Sequence, residues 1–165
     1  MDIYDIPVSF YYTVDIANVG SSGDSSFSEV SGLGMERDVE EIMEGGENRF
    51  VHRLPGRAKF NNLVLKRGVL LLNSGLAQWC TTILEADMSQ TMTANDIVVS
   101  LLNAKGQPAL VWNIKNAWPV KWSVVDLVAD RNELAIETLE FAYDYFTKAP
   151  GSGANAMLGN PKNDD

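Results

Sequence analysis

The sequence predicts a mainly β, antiparallel domain with one helix, built as a barrel or as two packed sheets. Three observations carry that reading. Apolar residues alternate with period two through most of the chain, the period changes to a helical one in a single place, and short turn-forming stretches separate the alternating runs. A length of 165 residues suits one domain with a sizeable core.

Residues 8–16, VSFYYTVDI, set Val8, Phe10, Tyr12, Val14 and Ile16 on one face and Ser9, Tyr11, Thr13 and Asp15 on the other, which predicts a half-buried strand. A Gly/Ser loop, NVGSSGDSS, follows. A strand is expected through Phe27–Val30 and a longer one over about 35–43, parted at SGLG, with FNNLVLKRGV forming another that ends at Gly68. The stretch EGGENRFVHRLPGRAKF, with its glycine pairs and proline, reads as a long loop. In NSGLAQWCTTILEADM, Leu76, Trp79, Cys80, Ile83 and Leu84 recur at helical spacing, and Ser74 is the expected N-cap of a helix over 74–87. DIVVSLLNA is apolar on both faces and is expected to be central. QPALVWNIKNA alternates through Leu110, Trp112 and Ile114, and WPVKWSVVDL through Val120, Trp122 and Val124. NELAIETLEFAYDYF sets Leu139, Phe141, Tyr143 and Tyr145 opposite Ile136, Thr138 and Glu140. NAKGQ and ADRN supply turns, and the tail from Pro150 has the composition of a disordered segment.

Composition excludes more functions than it suggests. A formal charge of −9 disfavours nucleic-acid binding and adsorption to an anionic membrane. One cysteine, Cys80, cannot form an intrachain disulfide, and its place on the apolar helix stripe reads as a small buried hydrophobe. The start, MDIYDIPVSFYYTV, lacks a basic region followed by an apolar one, and no stretch reaches a membrane-spanning length, so synthesis and folding in the cytoplasm are expected. With one histidine and one cysteine, no metal site, cofactor or enzyme is expected. His52 reads as a surface or interface residue rather than a general base. Glu40/Glu41 and Glu137/Glu140 fall in strand-like runs where alternation would solvate them. The four tryptophans read as core.

The charges are sorted. Glu36, Asp38, Glu40, Glu41, Glu44 and Glu47 crowd residues 36–47, with Arg37 the one base among them. The next twenty residues hold Arg49, Arg53, Arg57, Lys59, Lys66 and Arg67 and no acid. A solvated hairpin would place the blocks side by side within one chain. The alternative is that they meet across identical copies joined head to tail, which close into rings. Phe50, Val51 and Leu54 lie between the blocks and are expected to be exposed.

SGLGMERDVEEIMEGGEN, LPGRAKFNNLVLKRG and WPVKWSVVDLVADRNELAIETLEFAYDYF resemble, in order and spacing, the tail tube family of contractile phages and the inner-tube proteins of extracellular contractile injection systems, over about residues 6–147. The resemblance implies two packed antiparallel sheets forming a barrel with one flanking helix, similar to type VI secretion tube proteins. It implies a tube domain over 1–147, a C-terminal extension over 148–165, and a loop at 44–58 that reaches neighbouring subunits. Six copies would form a ring and rings would stack into a hollow tube. Its partners would be a contractile sheath, a baseplate or tube initiator, a cap, and an effector protein or DNA in the lumen. The candidate inter-subunit residues are Glu40, Glu41, Glu44, Glu47, Arg49, Phe50, His52, Arg53, Leu54, Arg57, Lys59, Lys66 and Arg67. The alternatives are a tube-initiating paralogue and a monomeric β-barrel that binds a ligand.

Overall fold

The computed structural model describes residues 11–19, 26–43, 45, 46, 49–68, 74–125 and 135–152. Its strands are β1 (Tyr11–Ile16), β2 (Ser26–Phe27), β3 (Glu29–Ser31), β4 (Met35–Ile42), β5 (His52–Phe60), β6 (Leu63–Gly68), β7 (Asn95–Leu102), β8 (Pro108–Val124), β9 (Ile136–Ala142) and β10 (Tyr145–Pro150), with one helix, α1 (Gly75–Glu85). The main sheet runs β2-β1-β7-β8-β9-β6-β3, β10 pairs with β8, and β4 and β5 form a sheet of their own. Every pairing is antiparallel.

The two ends of that strand order, β2 and β3, are separated in the chain by Ser28 alone. The Ser28 N–H and Oγ–H both donate to the Lys66 carbonyl, at 3.0 and 3.1 Å. The sheet therefore curls until its ends meet, and the inward residues of its two halves form one core. Leu63, Leu65, Ile97, Val99, Ile114, Leu139 and Phe141 are all at 0% exposure. They are alternate residues of their strands, as period-two patterning requires.

The helix begins where expected. Ser74 accepts a hydrogen bond from the Ala77 N–H at 3.1 Å, and Leu76, Cys80 and Ile83 are buried. Trp79 stacks on Phe141 with ring centroids 5.9 Å apart. Leu84, read as part of the stripe, is instead 41% exposed, at the edge of the buried face. Trp79 and Trp112 pack against the core, but Trp118 and Trp122 are 36% and 42% exposed, contrary to the expectation that all four are core.

Two strands expected as QPALVWNIKNA and WPVKWSVVDL are one 17-residue strand, β8. It pairs with β7 over Pro108–Ala117 and with β9 over Trp118–Val124. The turn-like Asn-Ala-Trp-Pro sequence marks a corner within the strand rather than its end. Asn116 has φ 53, and the register against β9 shifts between Pro119 and Lys121. The opposite run breaks at the same level: one expected strand becomes β9 and β10, parted at Tyr143 and Asp144. The Asn116 side chain donates to Asp144 Oδ2 at 2.7 Å, and the Asp144 N–H donates to the Lys115 carbonyl at 3.0 Å. Residues 148–150, placed by the resemblance in the C-terminal extension, complete β10. The predicted tail lies outside the described residues from 153 onward.

The corner carries an ion pair. Lys115 Nζ donates to Asp96 Oδ2 at 2.6 Å, and the Asn116 N–H donates to Asp96 Oδ1 at 3.1 Å. The Lys115 hydrogen bond, followed by that of Asn116, holds the Asp96 carboxyl below its ordinary 3.8. A carboxyl lowered by folding supports the fold above its ordinary value and loses that support as pH falls through the folded value. The thermal midpoint of Asp96→Asn should therefore lie below the parent's at pH 7, and the gap should narrow as pH falls below about 4. A gap as wide at pH 2.5 as at pH 7 would rule this out.

Candidate assembly surface

β4 and β5 pair with each other and stand apart from the main sheet. Every residue of β4 is exposed, and β5 is exposed except for Gly56 and Phe60, which are partly covered. The sequence placed 52–58 in a long loop because Pro55 and Gly56 look like strand breakers. In a two-stranded ribbon both strands are edges, where a missing proline N–H is tolerated. Arg37 pairs with Ala58 and Val39 with Pro55, so β5 holds one extra residue around Gly56. The Arg37 guanidinium donates to the Gly56 carbonyl at 3.2 Å. Beside this bulge is a hollow of about 270 Å³ lined by Arg37, Asp38, Val39, Arg53, Leu54 and Pro55.

The arm ends in apolar side chains. Ile42, Met43, Phe50, Val51 and Leu54 are 44%, 88%, 59%, 43% and 46% exposed. The Phe50 and His52 rings meet edge to face at 5.2 Å. A lone two-stranded hairpin is marginal in water. Exposed apolar residues clustered on such a hairpin mark a surface that a partner covers.

The arm also resolves the charge sorting. Its acidic strand and its basic strand are each other's partners, with Glu36 opposite Lys59 and Glu41 opposite Arg53. Lys59 lies 2.8 Å from Asp38, and Arg53 lies 3.7 Å from Glu41. Asp38 raises the Lys59 amine above its ordinary value, through a hydrogen bond first and its charge second. All four side chains are about half exposed or more, so water screens each pair and neither adds much to stability. The solvated hairpin is thus the arrangement found within one chain. Of the other candidates, Glu40 pairs in register with Leu54, while Arg49 and Arg57 are exposed on the tip and on β5. Glu44 and Glu47 lie outside the described residues.

Lys66 and Arg67 are not part of the arm. Lys66 pairs with Glu29 at 3.0 Å across β3 and β6. Arg67 is turned inward: its side chain and that of Glu137 are 12% and 7% exposed, with Nε 2.6 Å from Oε2. Arg67 Nη2 donates to Ser74 Oγ at 2.6 Å, its guanidinium lies 5.3 Å from the Phe27 ring centroid, and Trp122 Nε1 donates to Glu137 Oε1 at 2.7 Å. Glu137 was expected to be solvated. It is buried because Arg67 of β6 and Trp122 of β8 converge on its carboxylate, with Ser74 holding the far side of the guanidinium. Glu140 accepts from Asn62 Nδ2 at 2.8 Å.

Among the described residues no group of three or more His, Cys, Asp or Glu side chains is placed to hold a metal ion. No helix there is long and apolar enough to cross a membrane. Burial pushes the Cys80 thiol up to about 12.

A family model described as T4-like virus tail tube protein gp19 matches residues 8–147. The chain belongs to that tail tube family. Solved structures agree with the tail tube assignment. A chain from the anti-feeding prophage baseplate is 29% identical, with 91% of this chain and 98% of that one covered and a TM-score of 0.73. A chain from the sheath–tube complex of an extracellular contractile injection system in its extended state is 27% identical, covering 90% and 93%, with a TM-score of 0.68. A type six secretion system protein shares the fold at 12% identity, covering 85% and 83%, with a TM-score of 0.56. No curated protein matches the chain. The expectation of a mainly β tail tube fold with antiparallel sheets and one helix stands.

Proposed function

We propose that this chain is a structural subunit of the inner tube of a contractile injection system or contractile phage tail. Copies form six-membered rings that stack into a hollow conduit, and the arm, β4–β5, is the contact between copies. The observation that carries this reading is the free-standing hairpin, whose apolar tip has no cover within its own chain among the described residues. The role is non-enzymatic: the chain positions walls and conducts cargo, either an effector protein or DNA. A sheath surrounds the tube and drives it into a target envelope, with a baseplate initiator at one end and a cap at the other. Assembly takes place in the cytoplasm, and the finished tube belongs to a phage tail or a released particle.

Negative-stain microscopy with mass measurement in solution tests this. Sixfold rings or stacked tubes are expected from the purified protein. A monomer that persists at high concentration, even with baseplate components present, refutes self-assembly. The similarity to a baseplate chain favours a second reading, a tube-initiating paralogue. Assembly that stops at single rings would favour that variant.

A further inference from the structure

The arm joins the body through two short segments, 32–34 and 61–62. They cross closely: the Asn61 N–H donates to the Gly34 carbonyl at 3.3 Å, and a Cβ on Gly32, at φ +83, would lie 1.8 Å from the Asn62 carbonyl oxygen. Two such connections fix where the arm leaves the body but not its direction, because a few backbone torsions can tilt the whole ribbon. Direction matters because the lever is long. Nine residues of β5 span about 30 Å, so a tilt of about 10° displaces the tip by about 5 Å, one inter-strand spacing.

One aromatic cluster bridges the arm and the body. Phe60, the last residue of β5 and the partner of Met35 on the first rung of the arm, lies 6.0 Å from the Tyr143 ring and 5.4 Å from the Phe146 ring. Those two rings are 6.2 Å apart and flank Asp144 at the β9–β10 break. That break is pinned by Asn116 and by the Lys115 carbonyl. The cluster is also kept at a cost. The Tyr143 hydroxyl is buried with no hydrogen-bond partner, and burial raises its pKa. Leaving such a group unsatisfied is unfavourable, which indicates that packing of the ring dominates at this position.

We infer that Phe60, packed on Tyr143 and Phe146, is a positioning residue that sets the angle of the arm, and that assembly depends on that angle. The inference rests on the tube reading for its second half alone. In unassembled protein the arm's direction can be measured directly, whether or not tubes ever form.

The test places spin labels at Met43→Cys, on the tip, and Gln78→Cys, on the exposed side of the helix. Cys80 is buried and unreactive and stays in place. Pulsed dipolar spectroscopy of dilute, unassembled protein should give a narrow distance distribution for the parent. Phe60→Ala should broaden it at least twofold, Phe60→Leu should fall between, and Phe60→Tyr should restore it. Circular dichroism should report a folded body throughout. The same series, unlabelled, should lose tube formation with Phe60→Ala and regain it with Phe60→Tyr. A distribution as narrow in Phe60→Ala and Phe60→Leu as in the parent overturns the clamp. Broadening with unchanged tube yield overturns its role in assembly. If the parent forms no tubes, the functional reading fails while the distances still decide the clamp.

Discussion

Replacing Glu137 with alanine should lower folding stability by about 3–5 kcal/mol, because it strands a charged guanidinium inside the fold. Arg67 could not move into water without leaving the Ser74 hydroxyl that caps the helix and the ring of Phe27 beneath it. The Trp122 indole N–H would lose its acceptor in the same step. A domain of this size holds roughly 5–15 kcal/mol in total, so the variant should approach the unfolding threshold, with a thermal midpoint lower by on the order of 10 °C. Changing both partners, Arg67→Met with Glu137→Leu, should recover most of the loss, because the cost lies in the unpaired charge rather than in the absent attraction. Urea unfolding of the parent and the two variants decides the matter. A Glu137→Ala midpoint within about 1 kcal/mol of the parent would show that the network is incidental.

The second large effect is expected at the other end of the molecule and leaves stability alone. Phe50→Asp and Leu54→Asp alter side chains that are 59% and 46% exposed in the single chain, so their unfolding midpoints should match the parent's. If these side chains are buried against another copy, each is worth about 1.5–3 kcal/mol per contact, or a ten- to hundredfold shift in assembly. Repeated around a ring and between rings, that shift should abolish tubes at any practical concentration. Sedimentation of tubes against free subunit gives the answer, and pelleting at the parent's concentration would remove the arm from the assembly contact.

Much of the fold was legible because alternation reports directly on which strand face is inward. Val14, Leu139 and Phe141 could be placed from spacing, and the helix with its serine cap from the change of period. What failed had a common cause, which is that a strand's neighbours are set by distant sequence. Glu137 reads as solvated until Arg67 is known to lie beside it in register. QPALVWNIKNA and WPVKWSVVDL read as two strands until the corner at Asn116 shows one strand serving both halves of the sheet. Pro55 and Gly56 read as loop because nothing local announces that β5 is an edge. The charge blocks left open a hairpin within one chain or a contact across copies, and within one chain they face each other on β4 and β5.

That pairing has a consequence for how copies approach each other. Residues 35–60 hold six acids and five bases, leaving −1 of the chain's −9 on the arm and −8 on everything else. The body of one copy therefore repels the body of the next, and the arm is the nearly neutral part that can cross the gap. Had the acid and base blocks been reserved for different copies, dissolved salt would weaken their attraction. With the charges already matched inside each arm, salt mainly shields body from body over a screening length of about 8 Å at physiological ionic strength. Polymerisation of this chain should then be promoted by salt: slow in dilute buffer, faster as ions are added, and driven at the tip by the exclusion of water.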